Sequence, residues 1–167
     1  NGMRAPCMAL RVLLSAVFAR AQLRIIAPKS VAREFPDTHG MIYGTTATFG
    51  APYYGERVLG RLLYAESRGK AYCEVSDYDL PEKNGSVTKA GGQDLVDVVL
   101  VRRGQCTFVD KVKVAQQKGA HAVVLVDRKS SSLSSDEIQH IVMSDDGRGD
   151  SVRIPSMMIS QFEGQKL

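Results

Sequence analysis

The chain has 167 residues, of which 44% are apolar and 24% charged, a balance that fits one globular domain and excludes a disordered chain or a coiled coil. No run of 18 apolar residues occurs, so the sequence predicts no membrane-spanning helix. The formal charge is +4, but residues 1–21 contain three arginines and no acid, which leaves 19 basic against 18 acidic side chains in residues 22–167. A body so close to neutral, with its charges mixed, argues against a nucleic-acid-binding protein.

Residues 1–21 carry the three-part order that is typical of a secretory signal peptide. Basic residues come first, an apolar run follows over residues 12–19, and a small-x-small pattern ends at Ala21, after which we expect cleavage. The two residues before Met3 look like the remnant of an expression tag. We therefore expect a single mature domain over residues 22–167.

The cysteines favour this interpretation over its alternative, in which residues 8–23 form an amphipathic helix of the fold. Cys7 lies in the leader, so the mature domain holds two cysteines, Cys73 and Cys106. An even pair in a secreted domain is most simply a disulfide. Two unrelated buried thiols are the other interpretation.

Apolar and β-branched runs predict strands over residues 22–28, 41–49 and 58–65, separated by polar segments with Gly and Pro. Residues 66–94 are polar and contain several turn signals, so we expect a long excursion with little regular structure. Excursions of that length in compact domains are usually functional or mobile.

The clearest predicted unit is a parallel βαβ crossover, which should be right-handed. Residues 96–101 are a β-branched run of the kind expected for a strand covered on both faces. Thr107 can cap the following helix and Gly119 can end it in the left-handed conformation. The apolar residues 122–126 form the second strand, and a last strand is predicted over residues 154–159.

This order of motifs resembles the protease-associated domain. The family pattern is a loop that holds a Cys, a strand ending in R-G-x-C, a helix reading A-Q-Q-x-G-A, another apolar strand and a closing I-P-S. Here these features lie at Cys73, residues 98–106, 115–120, 122–127 and 154–156. More narrowly, residues 49–55, Leu59-Gly60 and residues 76–79 are similar to the plant-type vacuolar sorting receptors, and the resemblance covers about residues 23–167.

The resemblance implies an α/β fold of α+β-like character, with a central mixed β-sheet or open barrel, flanking helices and one disulfide. It implies a non-catalytic domain that needs no cofactor or metal and binds the sorting-signal peptide of soluble cargo proteins. It places the domain in the lumen of the secretory pathway or outside the cell. The full-length protein would be membrane-anchored, although this domain touches neither membrane nor nucleic acid. Two alternatives place the same domain in a secreted peptidase or in a membrane RING ubiquitin ligase, where it would gate or select substrates.

The resemblance also implies a binding site between two loops. In the first loop Arg103, Gly104 and Gln105 would contact the ligand backbone, while Cys106 and Cys73 would pin the loop. The second loop maps to about residues 143–150, where Ser144, Asp145 and Asp146 would close over the ligand. The family has an acidic stretch there. This chain departs from it in residues 147–150, G-R-G-D, and the departure bears on the cargo preference.

General physical chemistry favours the same place. Open α/β folds usually bind ligands where a loop leaves the carboxyl end of a parallel strand and enters a helix. The N–H groups of residues 107–110 would favour a partial negative charge, and Arg102 and Arg103 would suit a carboxylate or peptide carbonyls. The alternative is a solvated arginine pair beside a glycine that is needed only for the turn.

Other motifs give weaker evidence about function. Asn84-Gly85-Ser86 is a glycosylation acceptor or simply a turn, and the acidic residues 145–150 fail the EF-hand spacing. Residues 148–150 spell an adhesion tripeptide, but three residues in a glycine-rich loop are weak evidence. His39 and His140 have no recognisable nucleophile partner, and His121, at the start of an apolar strand, is interpreted as a structural residue. No metal-binding spacing occurs, so we expect neither a hydrolase nor a metal site.

Overall fold

The computed structural model describes residues 21–50, 57–64, 70–78, 80, 89–90 and 92–167. Residues 1–20 of the predicted signal peptide, with Cys7, lie outside the described residues, as do the predicted acceptor Asn84 and much of the predicted excursion. Within the described residues the strands are β1 (Ala21–Arg24), β2 (Met41–Thr46), β3 (Gly60–Tyr64), β4 (Lys89–Ala90), β5 (Gln93–Asp94), β6 (Val96–Arg102), β7 (Ala122–Val126) and β8 (Ser156–Ile159). The helices are α1 (Lys29–Ala32), α2 (Phe108–Gln117), α3 (Ser135–Ile138) and α4 (Gln161–Gly164).

Six strands form one mixed, curled sheet in the order β1-β2-β8-β7-β6-β3, while β4 and β5 pair separately. Strands β3, β6, β7 and β8 run parallel, and β2 joins β8 and β1 in antiparallel pairing. The predicted α/β fold with a mixed sheet or open barrel, flanking helices and one disulfide is confirmed.

The βαβ unit confirms the sequence analysis most closely. Strand β6 pairs in parallel with β7, and every residue of β7 is buried. The Thr107 hydroxyl accepts a hydrogen bond from the Asp110 amide at the start of α2, and Gly119 follows the helix at φ 91°. These are the cap and the stop that the sequence predicts.

Both faces of the parallel strands are covered, which explains their continuous apolar character. On one face Val99 and Leu125 pack with Val112 of α2 in the larger core cluster. On the other face Leu100 and Val124 pack with Phe35 and Ile42 in a second cluster. The sheet therefore fixes the carboxyl ends of β6 and β7, where the predicted site begins.

The predicted strand limits were too wide in four places. The first strand ends at Arg24, the second at Thr46, the third begins at Gly60 and the last begins at Ser156. At the end of β2 the chain changes partners, because Ala47 donates to the Ser156 carbonyl and Thr48 to the Met143 carbonyl. Beyond β2 the apolar residues Ala47 and Phe49 still pack in the core, whereas Ile26 after β1 and Val58 before β3 are exposed.

The close packing of β2 on β8 allows a prediction about stability. A Cβ added to Gly44 would overlap the Met158 carbonyl oxygen and touch Met157 Cε at 3.0 Å, so Gly44→Ala should lower the free energy of unfolding by about 1–3 kcal/mol. Urea denaturation followed by circular dichroism measures the loss. Thr46→Ala, at an exposed position of the same strand, should change stability by less than about 0.5 kcal/mol. Equal stabilities for the two variants would contradict this packing.

Candidate functional site

The first loop leaves β6 and enters α2 through a very tight turn. The Cys106 amide donates to the Gly104 carbonyl at 2.9 Å, which makes a three-residue turn with Gln105 at its centre. The first two residues of the turn have positive φ, 130° at Gly104 and 67° at Gln105. A Cβ on Gly104 would meet no atom within 4 Å, and Gln105 is exposed, so the turn presents open backbone to solvent.

A disulfide joins this turn to the 70–78 segment. Cys73 Sγ lies 2.03 Å from Cys106 Sγ, and the two Cα atoms lie 5.9 Å apart. The predicted disulfide is confirmed, and the alternative of two unrelated thiols is wrong. The bond holds the first loop against a segment that is 33 residues earlier in the chain.

Lys111, a buried lysine of α2, also contacts the 70–78 segment that the disulfide joins to the turn. Lys111 is only 1% exposed, its Nζ donates to the Ala71 carbonyl, and it lies 4.0 Å from Cys73 Sγ. Burial lowers the pKa of Lys111 to about 8, because desolvation disfavours the ammonium more than the nearby Asp77 charge favours it. The Tyr78 hydroxyl donates to the Lys111 carbonyl at 3.2 Å. Sequence reasoning missed Lys111, since a lysine on an amphipathic helix usually indicates the solvent face.

Arg103, just before the turn, is partly buried and held by several contacts. Its Nη1 lies 3.2 Å from Asp127 Oδ1, and its guanidinium lies 5.1 Å from the centre of the Phe108 ring. Its amide donates to the Val126 carbonyl at 2.8 Å. The guanidinium that the sequence analysis assigned to a ligand therefore already has a carboxylate partner.

That partner, Asp127, is 2% exposed and lies directly after β7. Its Oδ2 accepts from the Ser131 hydroxyl at 2.6 Å, and its backbone carbonyl accepts from Arg102 Nη1 at 3.2 Å. Desolvation alone would raise the pKa of Asp127, but hydrogen bonds from Ser131 and Arg128 and the Arg103 charge together lower it. Asp127 thus anchors both arginines of the first loop, a role that the sequence analysis did not predict.

The second loop is organised around Asp145. Its Oδ1 accepts the backbone N–H groups of Gly147, Arg148 and Gly149 at 2.9, 3.1 and 2.8 Å. Its own amide donates to the Thr48 hydroxyl at 3.1 Å. This predicted ligand-binding carboxylate therefore shapes its own loop, and Ser144 beside it is exposed.

Arg148 connects the second loop to the start of α2. Its Nη1 lies 3.0 Å from Asp110 Oδ1, and its Nη2 lies 2.6 Å from Asp146 Oδ2 and 3.4 Å from Thr107 Oγ1. Partial burial would raise the pKa of Asp110, but hydrogen bonds from Thr107 and Arg148 and the Arg148 charge lower it. The hydrogen bond from Arg148 is also the main reason why the pKa of Asp146 is lowered.

The structure therefore brings the two predicted loops to one place, beside the first turn of α2. It also bears on two of the weaker motifs. Within the adhesion tripeptide, Arg148 is ion-paired and Gly149 is buried with no room for a Cβ beside the Asp145 carboxylate, whereas Asp150 is exposed. Among the described residues, no group of three or more His, Cys, Asp or Glu side chains could hold a metal ion.

The disulfide yields a second stability prediction. Closing a loop of 33 residues should stabilise the fold by about 3–4 kcal/mol through the lost entropy of the unfolded chain. The double variant Cys73→Ser/Cys106→Ser should lose that amount in urea denaturation. Dithiothreitol should destabilise the wild-type chain similarly and leave the double variant unchanged. A reductant effect of the same size on both proteins would contradict the assignment.

Asp127 yields a pH-dependent prediction. Its pKa is lowered from 3.8 by folding, so its ionisation stabilises the fold above about pH 4, and this contribution is lost as the pH falls through the lower folded value. Asp127→Asn should cost about 1.5–3 kcal/mol at pH 7 and make stability less sensitive to acid below pH 4. Urea denaturation at pH 7, 4 and 2.5 measures both effects. Asp37→Asn, at an exposed position, is the control and should follow the wild-type profile.

Comparison with known proteins finds one matching family model and several similar proteins. Residues 58–167 match the family model described as PA domain. Vacuolar-sorting receptor 3 of Arabidopsis thaliana is 29% identical over 151 residues, which are 90% of this chain and 22% of the receptor. The chain thus spans about a fifth of the length of the first curated relatives that it matches.

Proteins of other kinds also match. Signal peptide peptidase-like 3 of Oryza sativa subsp. japonica is 27% identical over 88 residues, 53% of this chain and 16% of that protein. An uncharacterized RING finger protein of Schizosaccharomyces pombe is 31% identical over 91 residues, 54% of this chain and 23% of that protein. Among solved structures, an aminopeptidase from Aneurinibacillus sp. strain AM-1 superimposes with a TM-score of 0.44 at 20% identity, over 72% of this chain and 22% of that one. Because the PA domain match covers more than half of the sequence, the chain belongs to the PA domain family.

Proposed function

We propose that this PA domain is a non-catalytic peptide-binding module, the cargo-recognition part of a vacuolar or endolysosomal sorting receptor. The observation that carries the proposal is the exposed turn at Gly104 and Gln105, which is fixed on one side by the Cys73–Cys106 disulfide and on the other by the Arg103–Asp127 ion pair. A fixed binding loop loses little conformational entropy when a ligand binds. The similarity to vacuolar-sorting receptors over 90% of the chain supports the same role.

An extended peptide would bind along the two loops. Gly104 and Gln105 would contact its backbone, because no side chain blocks the approach to the turn. Ser144 and Asp146 would lie beside it, while Asp145 would keep the second loop in shape. Arg103 is better assigned to positioning the turn than to direct contact, since its charge is compensated by Asp127. A short peptide buries little area, so we expect a Kd no tighter than micromolar.

The lumen of the secretory pathway is the proposed location. A structural disulfide persists in such an oxidising compartment and is rare in the cytosol. The predicted signal peptide and the acceptor Asn84 would agree with this location, and the full-length receptor would be membrane-anchored. None of the helices in the described part of the chain is long and apolar enough to cross a membrane.

The second candidate is a PA domain that gates or selects protein substrates for a neighbouring catalytic unit. The matches to a signal peptide peptidase-like protein and to a RING finger protein favour it. Both matches cover little more than half of the chain, against 90% for the sorting receptor. The full open reading frame separates the candidates, since a peptidase motif or a RING-type zinc pattern downstream would favour the second one.

The test uses two glycines that both have positive φ and open space around an added Cβ, Gly104 and Gly119. The chain is first offered a library of N-acetylated, C-amidated octapeptides, and the best-retained peptide is labelled with fluorescein. Gly104→Ala places a Cβ on the proposed contact surface and should weaken binding at least tenfold in fluorescence polarisation. Gly119→Ala adds a Cβ that also meets open space at positive φ, but at the other end of α2.

Gly119→Ala should lower the melting temperature, because alanine is strained at positive φ, and leave the Kd unchanged. Two outcomes would contradict the proposal. Either no octapeptide binds more tightly than millimolar, or both alanine variants bind the peptide as well as the wild-type chain does.

A further inference from the structure

Arg148 lies at the surface, between the second loop and the start of α2. It projects from the second loop across to the start of α2 and contacts Thr107, the residue after the disulfide cysteine of the first loop. Its side chain is 57% exposed, and the carboxylates of Asp110 and Asp146 are 28% and 25% exposed. The ion pairs thus lie at the surface, between the two loops that the proposed function assigns to the peptide.

The backbone position of Arg148 does not depend on the ion pairs of its guanidinium. Asp145 accepts three backbone N–H groups of the second loop, and Gly149 packs directly against that carboxylate. The loop backbone is therefore held by Asp145, and the Arg148 side chain is an addition to a loop that is already formed. Replacing this side chain should leave the loop in place.

The charges around Arg148 are predominantly negative. Asp110 and Asp146 both pair with it, and Asp145 and Asp150 lie in the same loop. Of the two arginines that the sequence analysis assigned to the first loop, Arg103 pairs with the Asp127 carboxylate and Arg102 donates to the Asp127 backbone carbonyl. A ligand that approaches between the loops thus meets two carboxylates whose partner is a guanidinium supplied by the protein itself.

We propose that Arg148 is the specificity-determining residue of the peptide site: its guanidinium fills the position that a Lys or Arg side chain of the ligand would take between Asp110 and Asp146. This inference rests on the proposed function. A cationic peptide binds there by displacing Arg148, and it can do so because exposed ion pairs are weak in water and salt. Arg148 therefore moderates the preference of the site for basic peptides, and its removal sharpens that preference.

The experiment measures how Arg148 and the peptide charge depend on each other. The octapeptide selected above is resynthesised with Lys, Gln or Glu at each position in turn. The Kd of every peptide is measured by fluorescence polarisation for the wild-type chain, Arg148→Gln and Arg153→Gln, at 50 and 300 mM NaCl. Arg153→Gln makes the same change in net charge at an exposed residue nearby and controls for long-range electrostatics. Thermal unfolding of each variant checks that the fold is intact.

At one peptide position, Arg148→Gln should raise the preference for Lys over Gln about tenfold relative to the wild-type chain, and the gain should shrink at 300 mM NaCl. Arg153→Gln should leave that preference within about twofold. Arg148→Lys should restore most of the wild-type preference, because the charge is retained.

Two results would overturn the inference while leaving the proposed function intact. One is a Lys-over-Gln ratio that is the same in Arg148→Gln and wild type at every position although the peptides bind. The other is a selective loss of affinity for a Glu peptide, which would make Arg148 a reader of carboxylates. Failure of every peptide to bind the wild-type chain would instead remove the proposed function itself.

Discussion

The site depends on one constraint, which is that the turn between β6 and α2 is fixed from both sides. Gly104 and Gln105 both have positive φ. An isolated chain would not maintain this conformation, because only glycine adopts positive φ without strain. The Arg103–Asp127 pair holds the residue before the turn, and the Cys73–Cys106 bond holds its last residue. The parallel strands beneath the turn supply the rigid base, because β6 and β7 are buried on both faces.

Two buried charged groups reinforce this arrangement, and each is satisfied differently. Lys111 lies under the disulfide and donates to the Ala71 carbonyl, so the 70–78 segment is held by a hydrogen bond as well as by the covalent link. Asp127 accepts from Ser131 and Arg103 at the end of β7. Burial of a charge is unfavourable unless its partners are in place, so both groups favour one arrangement of the loops over alternatives that would leave them unpaired.

The features predicted correctly from the sequence are those that local patterns determine. The β-branched runs of β6 and β7, the Thr107 cap, the Gly119 stop and the cysteine pair were all predicted, because each depends on neighbouring residues or on a simple count. The short helices α3 and α4 were missed, although Ser134 with Glu137 and Ser160 with Glu163 form capping boxes that a sequence can reveal. The pairing of Arg103 with Asp127 and of Arg148 with Asp110 could not be predicted, since it joins residues 24 and 38 apart that only the folded sheet brings together.

These long-range pairs change the chemical character of the site. From the sequence alone, Arg102 and Arg103 indicate that the first loop would bind a carboxylate. In the fold Arg103 pairs with the Asp127 carboxylate and Arg102 donates to the Asp127 backbone carbonyl, whereas the second loop carries three aspartates and one arginine. The segment Gly147-Arg148-Gly149-Asp150 then matters because it inserts a single cation into that acidic loop, within reach of Asp110 and Asp146. Under the proposed function, two PA domains with the same disulfide-linked turn would recognise the backbone of a ligand in the same way, and the residue at the position of Arg148 would decide which side chains the ligand can carry.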